Sequence, residues 1–326
     1  MSVAAAQPDT APPAGSTAAV GGTAARARRR GSTPGRLPWY ASLPALVIAA
    51  LFTLGPLAVV IAFSFMTRPA SGGGVVYEFS TDAYRSFLFT KNFVGDLVFN
   101  PTYLKVFWTS LEQATITTLV CLVLSFPLAL WIATRPPRLQ TLLMLAVTIP
   151  FWTNLLVRTY AWILVLAKDG VVNRLSTALG LGPLELLYTP MAGQLGLIYT
   201  FLPFMVLPIY SSLAGFDFRL AEAAYDLGAR KATVVRRIIW PLARPGVVSG
   251  VLLVFIPALG SYVQPVLLGG GKVLLIGNLI AAQFGDSRNW PFGAALSVII
   301  LVLLALALLG VRWWSKRTGT TVSLSL

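Results

Sequence analysis

The 326-residue sequence contains no histidine, one cysteine and few charges of either sign. Without histidine, imidazole acid–base catalysis and histidine metal ligation are excluded. The lone Cys121 lies inside an apolar run, so no disulfide within the chain can form and no metal site is signalled. Charged residues make up 11% of the chain, against about 25% in soluble domains. Hydrophobic residues reach 56% and the mean hydropathy is +0.76, so the sequence reads as an integral membrane protein. Acidic residues number 11 against 25 lysines and arginines, a formal net charge of +14. The distribution of that charge matters more than its size. The basic cluster Arg26, Arg28, Arg29 and Arg30 has no interleaved aromatics, which argues for a topology signal rather than a nucleic-acid contact. A phosphate-binding loop is also absent. In the glycine-rich run Leu267–Leu275 the motif would need glycine at Val266 and Ser or Thr at Val273. No cofactor, metal or nucleotide site is therefore expected, and any ATPase must be another polypeptide.

What is present is six apolar blocks, at about Leu43–Met66, Val106–Ala133, Leu139–Ala167, Leu195–Gly215, Val247–Leu268 and Phe292–Trp314. Each is long enough for a hydrocarbon core that needs about 20 helical residues. Barrels give short alternating segments instead, so the expected fold is all-α with six transmembrane helices. Residues 1–38, rich in Ala, Pro, Gly, Thr and Ser, read as a disordered basic tail. Residues 39–317 read as one six-span domain and residues 318–326 as a C-terminal tail. The run after the basic cluster is too long for a signal-peptide core and lacks a clear cleavage site, so it reads as an uncleaved span. The Lys and Arg distribution sets orientation. Sixteen fall in the N-terminal tail, at Arg135 and Arg138, in residues 216–246 and at the C-terminal end; eight fall in the alternate segments. By the positive-inside rule both termini and residues 216–246 are expected in the cytoplasm. Within the long outer segment 67–105, Tyr77, Phe79, Tyr84 and Phe87 suggest a short amphipathic element or partner contact, or equally an aromatic belt.

Residues 216–246, FDFRLAEAAYDLGARKATVVRRIIWPLARPG, form the most highly charged interval between apolar blocks. Asp217 suits a helix cap, Glu222 suits the positive end of the dipole, and the alanines favour helix. Gly228 can adopt the left-handed conformation that ends a helix. A second helix fits Ala232–Trp240, with Pro241 expected to stop it. The expected product is helix, glycine corner, helix.

The spacing Glu222-Ala223-Ala224, Gly228, Ile238, Trp240-Pro241 resembles the EAA loop of ABC-importer permeases, with Trp240 standing where that family usually has Leu. Longer segments resemble its spermidine/putrescine branch: Ile149–Asn154 with Arg158–Tyr160, Leu202–Leu213, Ile256–Gly260, Leu274–Asn278 and Asn289–Ala295. The resemblance spans about residues 40–315. It implies a non-catalytic transport subunit in which Glu222, Ala223, Ala224, Gly228, Ile238 and Pro241 couple to a cytoplasmic ATPase. It also implies a second permease subunit, two ATPase copies, a periplasmic polyamine-binding protein and a setting in the inner-membrane lipid. Other solutes, such as an amino-acid derivative or organic anion, fit the same class. An ion-coupled secondary transporter would need an internal repeat and more buried charge than this chain has.

A polyamine is held by carboxylates, carbonyls and aromatic faces. Glu112, the one acidic residue within the blocks, is a candidate for the solute path, along with Trp152, Tyr160, Trp162, Tyr262 and Asp286. Glu112 has two alternative roles, snorkelling to the interface or pairing with Lys105 or Arg158. The aromatics have packing or belt roles as alternatives, and Asp286 has the balancing of Arg288 as its alternative.

Overall fold

The computed structural model describes residues 43–70, 72–91 and 96–317; Lys91, Val311, Arg312 and Trp314–Arg317 are described by backbone only. The two tails, 1–38 and 318–326, lie outside the described residues. The chain divides into two units between Phe52 and Thr53, and the described part of the first is the helical stretch 43–52. Thirteen helices and four short strands are described.

Five helices are long and apolar enough to cross a membrane: α1 (Leu43–Ser64), α3 (Thr102–Ala133), α7 (Pro190–Ala214), the continuous stretch Lys231–Leu259, and α13 (Trp290–Arg317), whose tested part is Trp290–Gly310. The third block, Leu139–Ala167, departs from the expected single helix. It is divided into α4 (Pro137–Trp152) and α5 (Leu155–Leu166), and the second part turns by 94° from the first. The break has a local cause. Asn154 leaves the helix with φ −57° and ψ 135°, and its side chain accepts the Leu156 N–H at 2.8 Å, which starts a new helix. Pro150, one turn earlier, has no N–H to give the Ala146 carbonyl, which weakens the last turn of α4. Pro127, Pro203 and Pro208, by contrast, lie inside unbroken helices.

The fifth block was also misplaced. The span expected at Val247–Leu268 ends at Leu259, and Val263–Leu267 is a separate short helix, α11. The helix begins earlier, at Lys231: α9 (Lys231–Val234) runs through a π-turn (Val235–Ile239) into α10 (Trp240–Leu259). Pro241 therefore does not stop the second helix of the 216–246 interval. A proline ring clashes with the carbonyl four residues back. That carbonyl belongs to Arg237, inside the π-turn, where wider i→i+5 bonding replaces the ordinary ladder. The extra residue in that turn lets the helix pass the proline.

Helices α3, α7 and α10 form the core, with Ala114, Cys121, Ala129, Met205, Ile209, Leu213, Ala243 and Val254 all buried. Close approach rests on small residues, as expected where lipid supplies no hydrophobic drive between helices. Gly246 lies against the Pro208 carbonyl and Ser212, and Gly250 against Met205. The outer segment holds two small antiparallel sheets, β1 (Met66–Thr67) with β2 (Val76–Phe79) and β3 (Phe89–Lys91) with β4 (Leu97–Phe99), flanking a helical turn α2 (Asp82–Arg85). Its aromatics pack on one another more than on any surface. Phe65 stacks on Phe79 at 5.7 Å and meets Tyr84 at 5.1 Å, whose hydroxyl hydrogen-bonds Ser64 Oγ at 2.7 Å. Phe87 packs with Tyr103, Val106 and Phe292. Among the described residues, Tyr77 alone of the four stays exposed without a ring partner.

Candidate functional site

The helix–glycine–helix corner is built from local signals. Asp217 Oδ1 accepts the Arg219 N–H at 3.0 Å, one residue ahead of the assigned cap, Phe218. Helix α8 (Arg219–Asp226) carries Glu222 in its first turn, at the positive end of the dipole. It closes in a Schellman arrangement: the Gly228 N–H donates to the Tyr225 carbonyl at 2.8 Å, and the Ala229 N–H to Ala224 at 3.0 Å. Gly228 has φ +81°, the conformation that needs no Cβ.

Around that corner the side chains sort into two sets. Ala221 is buried, and Ala224, Val235, Ile238 and Trp240 pack on the α3/α7/α10 core. Trp240 meets Phe126 edge-on at 5.2 Å, so the bulk that replaces the family's Leu fills a space beside α3. Glu222, Ala223, Gly228, Lys231, Arg236 and Arg237 are exposed, as is Pro241. Leu220, Ala223 and Leu227 share one exposed stripe of α8 and its end, and Leu227 is 90% exposed. Of the six residues named for coupling, four present themselves outward and two, Ala224 and Ile238, tie the corner to the spans. The corner and α10 form one unit with the core through these two.

The residues named for a solute path are not gathered. Glu112 is exposed on α3 and pairs with neither Lys105 nor Arg158 among the described residues. Trp152, 83% exposed, ends α4 at the break, and Tyr160 is exposed on α5. Trp162 is drawn inward: it packs beside Leu166, Ala192 and Leu268 and meets Tyr199 edge-on at 5.4 Å. Tyr262 precedes α11, and Asp286 is exposed between α12 (Ile276–Phe284) and α13. Arg158 sits near the break with its guanidinium carbon 6.0 Å from the Phe151 ring centroid, and its buried Nε has no hydrogen-bond partner among the described residues.

A buried polar network escaped the sequence reading, which followed charge and aromatics. Gln194 Nε2 on α7 donates to Thr117 Oγ1 on α3 at 2.8 Å, and Thr117 donates to the Gln113 carbonyl at 2.8 Å. Further along, Ser261 Oγ donates to Gln264 Oε1 at 2.8 Å, and Gln264 Nε2 donates to Thr200 Oγ1 at 3.0 Å. Ser110 Oγ receives the Ile276 N–H at 2.8 Å. Gln113 and Thr117, four residues apart inside an apolar block, were the available signal. These bonds cross-link α3, α7 and α11 at the depth where an unpartnered polar group is costly.

Comparison with known proteins gives the same assignment as the corner. Residues 125–319 match the family model "Binding-protein-dependent transport system inner membrane component". The spermidine/putrescine transport system permease protein PotB of Haemophilus influenzae is 41% identical over 257 residues, covering 78% of this chain and 86% of that protein. PotB of Escherichia coli (strain K12) is 41% identical over 269 residues, covering 82% and 93%. A chain of a bacterial ABC transporter that imports the acidic polysaccharide alginate has the same fold, with a TM-score of 0.65 at 16% identity over 85% of this chain and 94% of that one. The chain belongs to the family of binding-protein-dependent inner-membrane transport components, the multi-pass permease subunits of ABC importers.

Proposed function

We propose that this chain is one permease subunit of an ATP-driven importer of polyamines, spermidine or putrescine, and that α8 and the Gly228 corner transmit the ATPase cycle to the spans. The observation that carries the substrate is the 41% identity to spermidine/putrescine permeases over about four-fifths of the chain. The coupling role is supported by the exposed stripe of Leu220, Ala223 and Leu227 on a corner whose other face is packed into the core. Burying Leu227 in a partner's cleft would contribute roughly 2 kcal/mol to docking. Both termini and the corner are cytoplasmic in this reading, on the strength of the Lys and Arg distribution. The assembly comprises a second permease subunit, two copies of a cytoplasmic ATPase and a periplasmic polyamine-binding protein. Recognition rests chiefly on the binding protein, in keeping with the scattered positions of the candidate path residues.

Glu112, exposed on α3 and without a partner among the described residues, faces either lipid or the partner permease. A carboxylate facing lipid is costly, so the path between the two subunits is the favourable place for it. Trp152, Tyr160 and Tyr262 offer exposed rings and Asp286 an exposed carboxylate at separate points along such a path, while Trp162 packs inward. In the reconstituted importer Glu112→Gln lowers spermidine and putrescine uptake several-fold and leaves polyamine binding by the isolated binding protein unchanged. Uptake at the wild-type rate would remove Glu112 from the path.

A further inference from the structure

Helix α6 (Val171–Ala178) is turned inside out by the standards of a soluble protein. Two of its polar residues, Asn173 and Ser176, face the protein, while Arg174 and Thr177 are exposed. Asn173 is buried, donates through Nδ2 to the Ala167 carbonyl at 3.0 Å and accepts the Leu184 N–H at 2.7 Å. Ser176, also buried, donates to the Gly182 carbonyl at 2.7 Å. Val172 joins the small cluster around Trp162 and Leu166. The outward face is apolar: Val171, Leu175 and Leu179 recur every four residues, with Leu175 59% and Leu179 76% exposed. Leu181, 72% exposed, extends the patch. The orientation is fixed, because both buried side chains are clasped by backbone groups of the preceding and following loops.

Three observations decide what covers this face. Eight residues of helix span about 12 Å, too short to cross a bilayer. The α5–α6 segment is turned 94° from α4, so it runs across the direction of the apolar helix that leads into it. Beside the stripe lies an open recess of about 600 Å³ lined by Lys168, Asp169, Asn173, Arg174, Thr177 and Pro183 among others. Arg174 is steadied there by its Nε, which donates to the Asp169 carbonyl at 3.1 Å. Lysine is depleted at the centres of protein interfaces, whereas a cation beside an apolar stripe is the pattern of a helix lying in the membrane surface.

We infer that α6 lies in the lipid interface at the end of the bundle opposite the coupling corner, with Val171, Leu175 and Leu179 in the acyl boundary and Lys168 and Arg174 on anionic phospholipid headgroups. It anchors the end of α5 beyond the 94° break, on the side away from Ala192 of α7. The inference does not depend on which solute is carried.

Spin labels on the full chain, assembled with its importer partners in vesicles of phosphatidylcholine with and without phosphatidylglycerol, test it. Cys121 is replaced by serine and single cysteines are placed at Leu175 and Leu179. Nitroxides there should collide with oxygen several-fold more than with a water-soluble nickel chelate, at a depth of about 5–10 Å below the phosphates. Preferential collision with the nickel chelate would mean water covers the face, and shielding from both would mean a protein subunit does; either overturns the inference. A second arm uses Lys168→Gln/Arg174→Gln with the label at Leu175. Phosphatidylglycerol should deepen the label in the otherwise wild-type chain and not in the double variant. No response to phosphatidylglycerol in either chain, or the same response in both, would overturn the headgroup contact.

Discussion

Substitution at Gly228 separates two reasons for a glycine at the corner. Its φ of +81° is costly for residues with a Cβ, yet a Cβ built there meets nothing within 4 Å. Within this chain the cost of substitution is therefore conformational and not steric. Alanine in the left-handed region costs roughly 1–2 kcal/mol, a β-branched residue more, and asparagine less because its side chain bonds locally. The Schellman bonds to Tyr225 and Ala224 hold the corner, so each lost kcal/mol lowers the population of the docking-competent conformation. An ATPase that binds only that conformation loses affinity in proportion, up to about tenfold for each 1.4 kcal/mol. The expected order of ATPase binding to detergent-purified permease is Gly228 ≥ Asn > Ala > Val, measured by surface capture of the purified ATPase. Membrane insertion should be equal for all four, since the residue is exposed and outside the core. If Gly228→Asn binds as poorly as Gly228→Val, the partner excludes side-chain volume at the corner and the conformational argument fails. If all four bind alike, the corner is not the docking element.

Two further outcomes bear on the frame that carries the corner. Gly246→Ala forces a methyl against the Pro208 carbonyl and Ser212 Oγ, so α7 and α10 must part at a cost of about 1–3 kcal/mol; the thermal midpoint in detergent should fall, and an unchanged midpoint would show that the helices pack more loosely there. For orientation, in a Cys121→Ser background a single cysteine at exposed Ser287 should react with an impermeant thiol reagent in intact cells, and one at exposed Thr233 only after permeabilisation; the reverse pattern would invert the topology.

The corner was legible in the sequence because its determinants are local. Asp217, Gly228 and the alanine run each act within one turn, and glycine is the residue type that the φ of +81° at position 228 favours. The spans were legible because charge is nearly absent from them. What failed were continuities that depend on the rest of the protein. Pro241 is a helix stop by local rules, and only a π-turn, supported by buried Val234 and Ile239 and by Trp240 against Phe126, lets the helix continue. Pro150 and Asn154 carry break signals, yet Pro127, Pro203 and Pro208 break nothing, so proline by itself does not distinguish the cases. The strands of the outer segment are two to four residues long, below the length at which alternation is readable. The Gln113–Thr117–Gln194 network depends on which helices meet, and residue type cannot say that.

The most direct measurement of the central claim is ATP hydrolysis by the importer assembled in vesicles from this permease, its partner permease, the ATPase and the binding protein. With spermidine- or putrescine-loaded binding protein, hydrolysis should rise several-fold over the unloaded state. Glu222→Lys, which reverses the charge at the exposed first turn of α8, should assemble in the membrane and lose that rise. Hydrolysis that ignores polyamine-loaded binding protein and responds to a neutral or anionic solute would contradict the substrate, and a full response in Glu222→Lys would contradict coupling through α8.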